Sequence, residues 1–374
     1  MDKIESADKY FTVPADYKKD SIDLFVKNNK LWNTKIKEVY GSINLPIIES
    51  GRITSELLNI SKENLSEYVK YGKSKGIDFN YLINANCLRN NEYTRKGQVQ
   101  FLKNIDFLYS IGITKLTIAI PALIELINKY YPDIEITLSV INGIDNIFSA
   151  EYFTSLEGIK SVYVHENLHR DINQLKQVIK VCKKNNVEIG MVVNNNCLLN
   201  CPFRTYHYNY VSHAVDDSSY ISPEYYGYKC TLLNIKDTKN VVKTPWVRPD
   251  DFQFYKDLGI NKFKISGREN IKRNPNFVRV VETYNSNTYC GNLADLFMCF
   301  LDTAYSDIFY IDNNKDLDNY MALVKQGKVN CNRCNNCNKC DIVAKSIKVN
   351  EDKAKYWGDI CNEKINLFEG NVKK

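Results

Sequence analysis

In the segment VVNNNCLLNCPFRTYHYNYVSH, residues 192–213, Cys197 and Cys201 stand four positions apart, with Arg204 and the imidazoles of His207 and His213 close behind. Thiolates ligate soft and borderline metals, imidazoles exchange protons near neutral pH, and a guanidinium grips a carboxylate or phosphate through parallel N–H groups. Two further cysteines have placements that suit the same chemistry: Cys87 after the apolar run DFNYLI, and Cys230 in YYGYKC. The other histidines, His165 and His169, precede this segment, so all four fall within one short stretch of chain.

A second thiol group lies near the C-terminus, where Cys331, Cys334, Cys337 and Cys340 are each three positions apart. Two intervening residues let a chain wrap one centre, so this spacing predicts a bound metal, either a structural zinc or a [4Fe–4S] cluster.

The chain has 374 residues and 12 cysteines, with 50 Lys+Arg against 44 Asp+Glu and a formal net charge of +6. That charge permits an RNA partner without indicating one, because no dense basic block is present. No apolar run approaches the ~20 residues a membrane helix needs, and the opening residues lack a secretory core, so the sequence predicts a cytosolic protein without a membrane partner. In a reducing compartment the cysteines are expected to serve metals rather than disulfides.

The elements that must carry these groups alternate. Apolar runs at 35–40, 78–83, 115–120, 135–140, 161–164, 188–193, 243–247 and 262–265 read as strands, and the segments between them place apolar residues three and four apart as amphipathic helices do. Eight strand–helix units, with no G-x-G-x-x-G turn after the first strand, predict a (β/α)8 barrel rather than an open doubly wound sheet. The expected organisation is a lead-in over 1–34, the barrel over 35–288 and a C-terminal cysteine-rich extension over 289–374. A barrel gathers its chemistry where its strands end. Cys87, Cys197, Cys201 and Cys230 are thereby expected to meet at one rim, with Glu38, His165, His207, Arg204 and Arg268 as candidate catalytic or substrate-orienting groups. The C-x3-C spacing lacks the third cysteine of C-x3-C-x2-C, three positions further on, since position 204 is Arg, which argues against a radical-SAM enzyme.

The run RPDDFQFYKDLGINKFKISGRENIKRNPNFVRVVETYNS resembles the hallmark of the peptidase U32 (collagenase-like peptidase) family, with Phe263, Lys264, Ile265, Ser266, Gly267 and Arg268 matching its FKI-x-GR strand. The family commonly has Glu where Ser266 stands, and NNNCLLNCPFRTYH replaces its usual cysteine segment, which marks a divergent branch. The resemblance implies a barrel with a four-cysteine [4Fe–4S] site, and relatives that carry out oxygen-independent hydroxylation of tRNA, rRNA or a ubiquinone precursor. On this chain the implied ligands are Cys197, Cys201 and Cys230, with Cys87 matching one branch for the fourth.

These readings converge on an iron–sulfur-dependent modification enzyme acting on an RNA, peptide or small aromatic substrate. Two alternatives remain from the sequence. One is a peptidase, for which neither H-E-x-x-H nor G-x-S-x-G is present. The other is a noncatalytic iron–sulfur subunit that assembles with a related barrel.

Overall fold

The computed structural model describes residues 8–48, 51, 58–213, 224–268, 277–297, 305–329 and 337–370. Eight parallel strands close into a barrel: β1 (Tyr10–Pro14), β2 (Lys35–Gly41), β3 (Asp78–Ile83), β4 (Lys115–Ile118), β5 (Glu135–Leu138), β6 (Ile159–Tyr163), β7 (Glu188–Val192) and β8 (Lys262–Lys264). Among the described residues one α-helix follows each of the first six: α1 (Lys19–Asn28), α2 (Lys62–Ser74), α3 (Arg95–Ser110), α4 (Pro121–Tyr130), α5 (Ile147–Ser155) and α6 (Ile172–Lys184). Between β7 and β8 the connection expands to α7 (Arg204–His213), α8 (Tyr225–Lys236), α9 (Lys239–Lys243) and α10 (Phe252–Leu258). After β8 come α11 (Phe277–Ser286), α12 (Tyr305–Ile308), β9 (Phe309–Tyr310), α13 (Lys315–Lys325), α14 (Lys339–Ser346), β10 (Lys348–Val349) and α15 (Glu351–Gly370).

Local sequence accounts for these elements. In α6 the Asp171 carboxylate accepts from the Gln174 N–H at 3.1 Å, and Ile172, Leu175, Val178, Ile179 and Cys182 line one buried stripe. Asn186, at φ 62°, then turns the chain toward β7. The strands are buried on both sides, so they read as near-continuous apolar runs.

Two of the expected boundaries change. The barrel begins earlier than residue 35: Tyr10–Pro14 pairs with both β2 and β8, so its first strand lies in what the sequence suggested was a lead-in. Conversely, the run 243–247 is no barrel strand. Pro245 lacks the N–H a ladder needs, and the carbonyls of this segment are taken by side chains instead. Arg170 donates to Thr244 O and Trp246 O, His169 contacts Pro245 O, and the Tyr284 hydroxyl donates to Val247 O. The count of eight stands while its membership shifts by one, and NNNC follows the seventh strand rather than the sixth.

The barrel axis is polar at the end where strands begin. Glu38 and Lys262, each with a side chain 2% exposed, pair at 2.8 Å, and Asn80, Thr117, Thr137 and Ser161 complete a hydrogen-bonded layer around them. Glu38 is therefore a structural partner of Lys262, the first residue of β8, and not a group at the catalytic rim. Gly190 of β7 makes room for this interior, since a Cβ there would stand 2.7 Å from the Tyr163 ring.

The C-terminal extension packs back onto the β7–β8 connection. Leu232 of α8 forms a cluster with Cys361 and Ile365 of α15, and the Tyr225 and Phe368 rings stand 4.6 Å apart. Of the four tail cysteines, Cys331 and Cys334 lie outside the described residues, Cys337 is half-buried, and Cys340 is buried at the start of α14. No described helix is long and apolar enough to cross a membrane.

Candidate functional site

The three asparagines after β7 are buried, and Asn194 and Asn195 bracket the departing chain. Asn194 exchanges hydrogen bonds with the Ser266 backbone, donating at 3.0 Å and accepting at 2.7 Å, which ties the β7 and β8 ends together. Asn195 donates to Glu166 Oε1 at 2.6 Å and accepts from the Cys197 N–H at 2.9 Å. An amide side chain can donate and accept at once, so it replaces the ladder bonds the strand has just lost.

Beyond these brackets Cys197, Cys201 and Cys230 line one cavity, together with Asn196, Leu198, Arg204, His207, Tyr208, Gly227 and Tyr305. Cys197 and Cys201 come from the loop after β7, whereas Cys230 comes from α8. The Cys201 and Cys230 thiols are hydrogen-bonded to one another. That bond, with the amides of Phe203 and Arg204 and the Arg204 guanidinium, brings Cys201 down to about 6 against the effect of burial. Cys230 moves the opposite way and keeps its proton, because a thiolate next to it and burial both oppose a second charge.

Arg204 opens α7 and is held from behind. Its Nη1 donates to Glu166 Oε2 at 2.5 Å and its Nη2 to Leu198 O at 3.2 Å. Burial would raise the Glu166 carboxyl, but the charges of Arg204 and His165 outweigh it and hold Glu166 below the usual range. The guanidinium thus has one edge on a buried carboxylate while its residue lines the thiol cavity.

The other expected groups are dispersed. His207 lines the cavity and packs its ring near Tyr208 and Tyr226, at centroid distances of 6.5 and 5.6 Å. His165 is not among the cavity residues; its Nε2 lies 3.9 Å from Glu166 Oε2, the oxygen that also receives Arg204, its Nδ1 accepts from the Asn167 N–H, and burial lowers its affinity for a proton. Arg268 is buried and donates to Ser42 Oγ at 2.9 Å, away from the thiol cavity. Cys87 is not among the cavity residues. Its neighbour Asn86 bonds Ser212, which places it beside the end of α7 opposite Arg204. Two residues that sequence spacing gave no role take part: Glu166, which it placed at the rim, and Tyr305, which arrives from the C-terminal extension and left no signal in spacing.

Cys197, Cys201 and Cys230 are the cavity side chains with the donor chemistry to hold a metal or a cluster. Among the described residues no group of three or more His, Cys, Asp or Glu side chains forms a site for a single metal ion. A [4Fe–4S] cluster takes four thiolates, one per iron, and the cavity supplies three, from Cys197, Cys201 and Cys230, with the Arg204 guanidinium beside them.

Fold and site together define a (β/α)8 barrel with a thiol-lined cavity at the rim, built largely from an expanded connection between the last two strands. Residues 29–289 match peptidase family U32, and the chain belongs to that family. It is similar to the "Uncharacterized protease MJ1657" of Methanocaldococcus jannaschii, at 30% identity over 353 residues that cover 90% of this chain and 98% of that protein. Among solved structures it is similar to the U32 peptidase Mk0906, at 14% identity and a TM-score of 0.48, covering 70% of this chain and 94% of that one. A similarity to the citrate synthase SbnG is fainter, at 9% identity and a TM-score of 0.38, covering 75% of this chain and 95% of that one.

Proposed function

We propose that Cys197, Cys201 and Cys230 hold an iron–sulfur cluster, and that the chain is a modification enzyme that works beside it. The observation that carries this reading is the meeting of three cysteines from two separate elements around one cavity. When bound, a cluster would supply electron transfer or an electrophilic iron at this rim. The chain's own groups have separable tasks. Arg204, itself anchored by Glu166, offsets the negative charge of ligating thiolates. His207 is the imidazole placed to move a proton at the cavity, and the rings of Phe203, His207, Tyr208 and Tyr226 beside it suit a planar substrate. The reaction class favoured by the family resemblance is oxygen-independent hydroxylation of an RNA, a peptide or a small aromatic molecule.

Anaerobic purification with iron, sulfide and zinc analysis tests the reading. About four irons and four sulfides per chain, lost in Cys197→Ala, Cys201→Ala and Cys230→Ala, are expected; about eight irons, or four with one zinc, would add a second centre at the tail cysteines. A folded wild-type protein that takes up no iron or sulfide on anaerobic reconstitution would overturn it.

A specific observation favours one second reading. Cys201 shares its cavity with His207, and the Cys230 thiol and Arg204 beside it hold its own thiol below the usual range, which are the parts of a thiol hydrolase. Peptide cleavage that withstands iron chelation and air but is abolished by iodoacetamide would select it.

A further inference from the structure

Tyr305 is the one residue of the described cavity wall that lies beyond the stretch matching the family, residues 29–289. It opens α12 and is 3% exposed, so its hydroxyl has no bulk water to satisfy it. A buried phenol normally uses its oxygen as an acceptor and its O–H as a donor. Here the acceptor role is filled: Asn234 Nδ2 donates to Tyr305 Oη. Asn234 is 1% exposed and sits four residues after Cys230 on α8, so the same helix supplies a thiol to the cavity and the amide that orients the phenol. Among the described hydrogen bonds Tyr305 donates none, and the other polar groups of the cavity around its ring are the thiols, Asn196, Arg204, His207 and Tyr208. Of these, Arg204 can only donate; Asn196, His207, Tyr208 and the thiols can accept, and sulfur carrying negative charge takes the stronger, charge-assisted bond.

We infer that the Tyr305 hydroxyl donates a hydrogen bond to sulfur of the centre held by Cys197, Cys201 and Cys230, and thereby sets its reduction potential. The inference rests on the cluster reading above. A donor aimed at sulfur stabilises the more negative, reduced state, so it raises the potential. The C-terminal extension would then be more than a brace. It contributes the group that adapts a family barrel to its own redox task, and the packing of α15 on α8 keeps Asn234 and Cys230 in step.

The experiment is a spectroelectrochemical titration of anaerobically loaded wild type and Tyr305→Phe, with iron and sulfide counted in both. Equal cluster content with a lower midpoint potential in Tyr305→Phe is the expected result. Equal content with equal potentials overturns the inference and leaves the cluster reading standing. No cluster in folded wild type overturns the cluster reading itself, and this inference with it. If Tyr305→Phe alone fails to load, Asn234→Ala is titrated instead: it keeps the phenol but removes the amide that orients it. A lowered potential there supports the inference, and an unchanged one, or a second failure to load, overturns it, since the residues would then be needed for assembly rather than for tuning.

Discussion

Glu166 ties together the ends of two neighbouring strands. It follows β6, yet it receives Asn195 from the loop after β7 and Arg204 from the first turn of α7, with side-chain exposure of only 2%. Removing the charge of one partner leaves the other buried and uncompensated, which typically costs ~3–5 kcal/mol. Glu166→Gln is accordingly expected to lower the unfolding free energy measured by urea denaturation by an amount of this order, and to reduce iron loading of the thiol cavity, because Arg204 loses the anchor that sets its place. Arg204→Lys should be nearly as damaging, since a single ammonium cannot bond Glu166 and Leu198 O in the same fork geometry.

At the scale of elements, the strand residues facing the barrel axis explain why this barrel is not filled by branched apolar side chains alone. The Glu38–Lys262 pair spans β2 and β8, and Asn80 and Thr137 absorb the remaining hydrogen-bonding capacity. Lys262→Met alone should cost ~3–5 kcal/mol, whereas Glu38→Leu combined with Lys262→Met should recover most of that loss. A double-mutant cycle by urea denaturation measures the difference. β7 offers a second check. The ring of Tyr163 fills the space a Cβ at Gly190 would take, so Gly190→Ala is expected to destabilise by about 1–3 kcal/mol through overpacking, read as a lowered melting temperature.

For the whole molecule, acid should be destabilising well before the carboxylates titrate in bulk. Burial holds His169 down to about 4, while the unfolded chain takes up that proton near 6.5. Between those values the unfolded state binds more protons, so stability is complete above the upper one and falls as pH drops toward the lower. His165 is shifted in the same direction by burial, and Glu166 is held low by its cationic neighbours, so the contributions add rather than cancel. The His169 share reaches at most about 3 kcal/mol once pH falls to ~4. Urea midpoints taken between about pH 7 and pH 4.5 should fall steadily, with a shallower slope in His169→Gln.

Periodicity in the chain was enough to specify seven of the eight barrel strands and the rim as the place for chemistry, because buried parallel strands and amphipathic helices each leave a local pattern. The membership of the barrel was not local. YFTVP became a strand through its partners in β2 and β8, and VKTPWV lost that role because His169, Arg170 and Tyr284 satisfy carbonyls that a ladder would otherwise have used. The same division holds at the site. Residue type and spacing determined that Cys197, Cys201 and Cys230 were candidates for one centre, and placed Arg204 and His207 beside them. Only the tertiary structure decided that Glu38 belongs to a buried ion pair, that Cys87 and Arg268 stand apart from the cavity, and that Tyr305 lines it. Those outcomes depend on which distant segments pack together, and a side chain's partner across a closed barrel is set by strand register and helix docking rather than by anything its neighbours in sequence record.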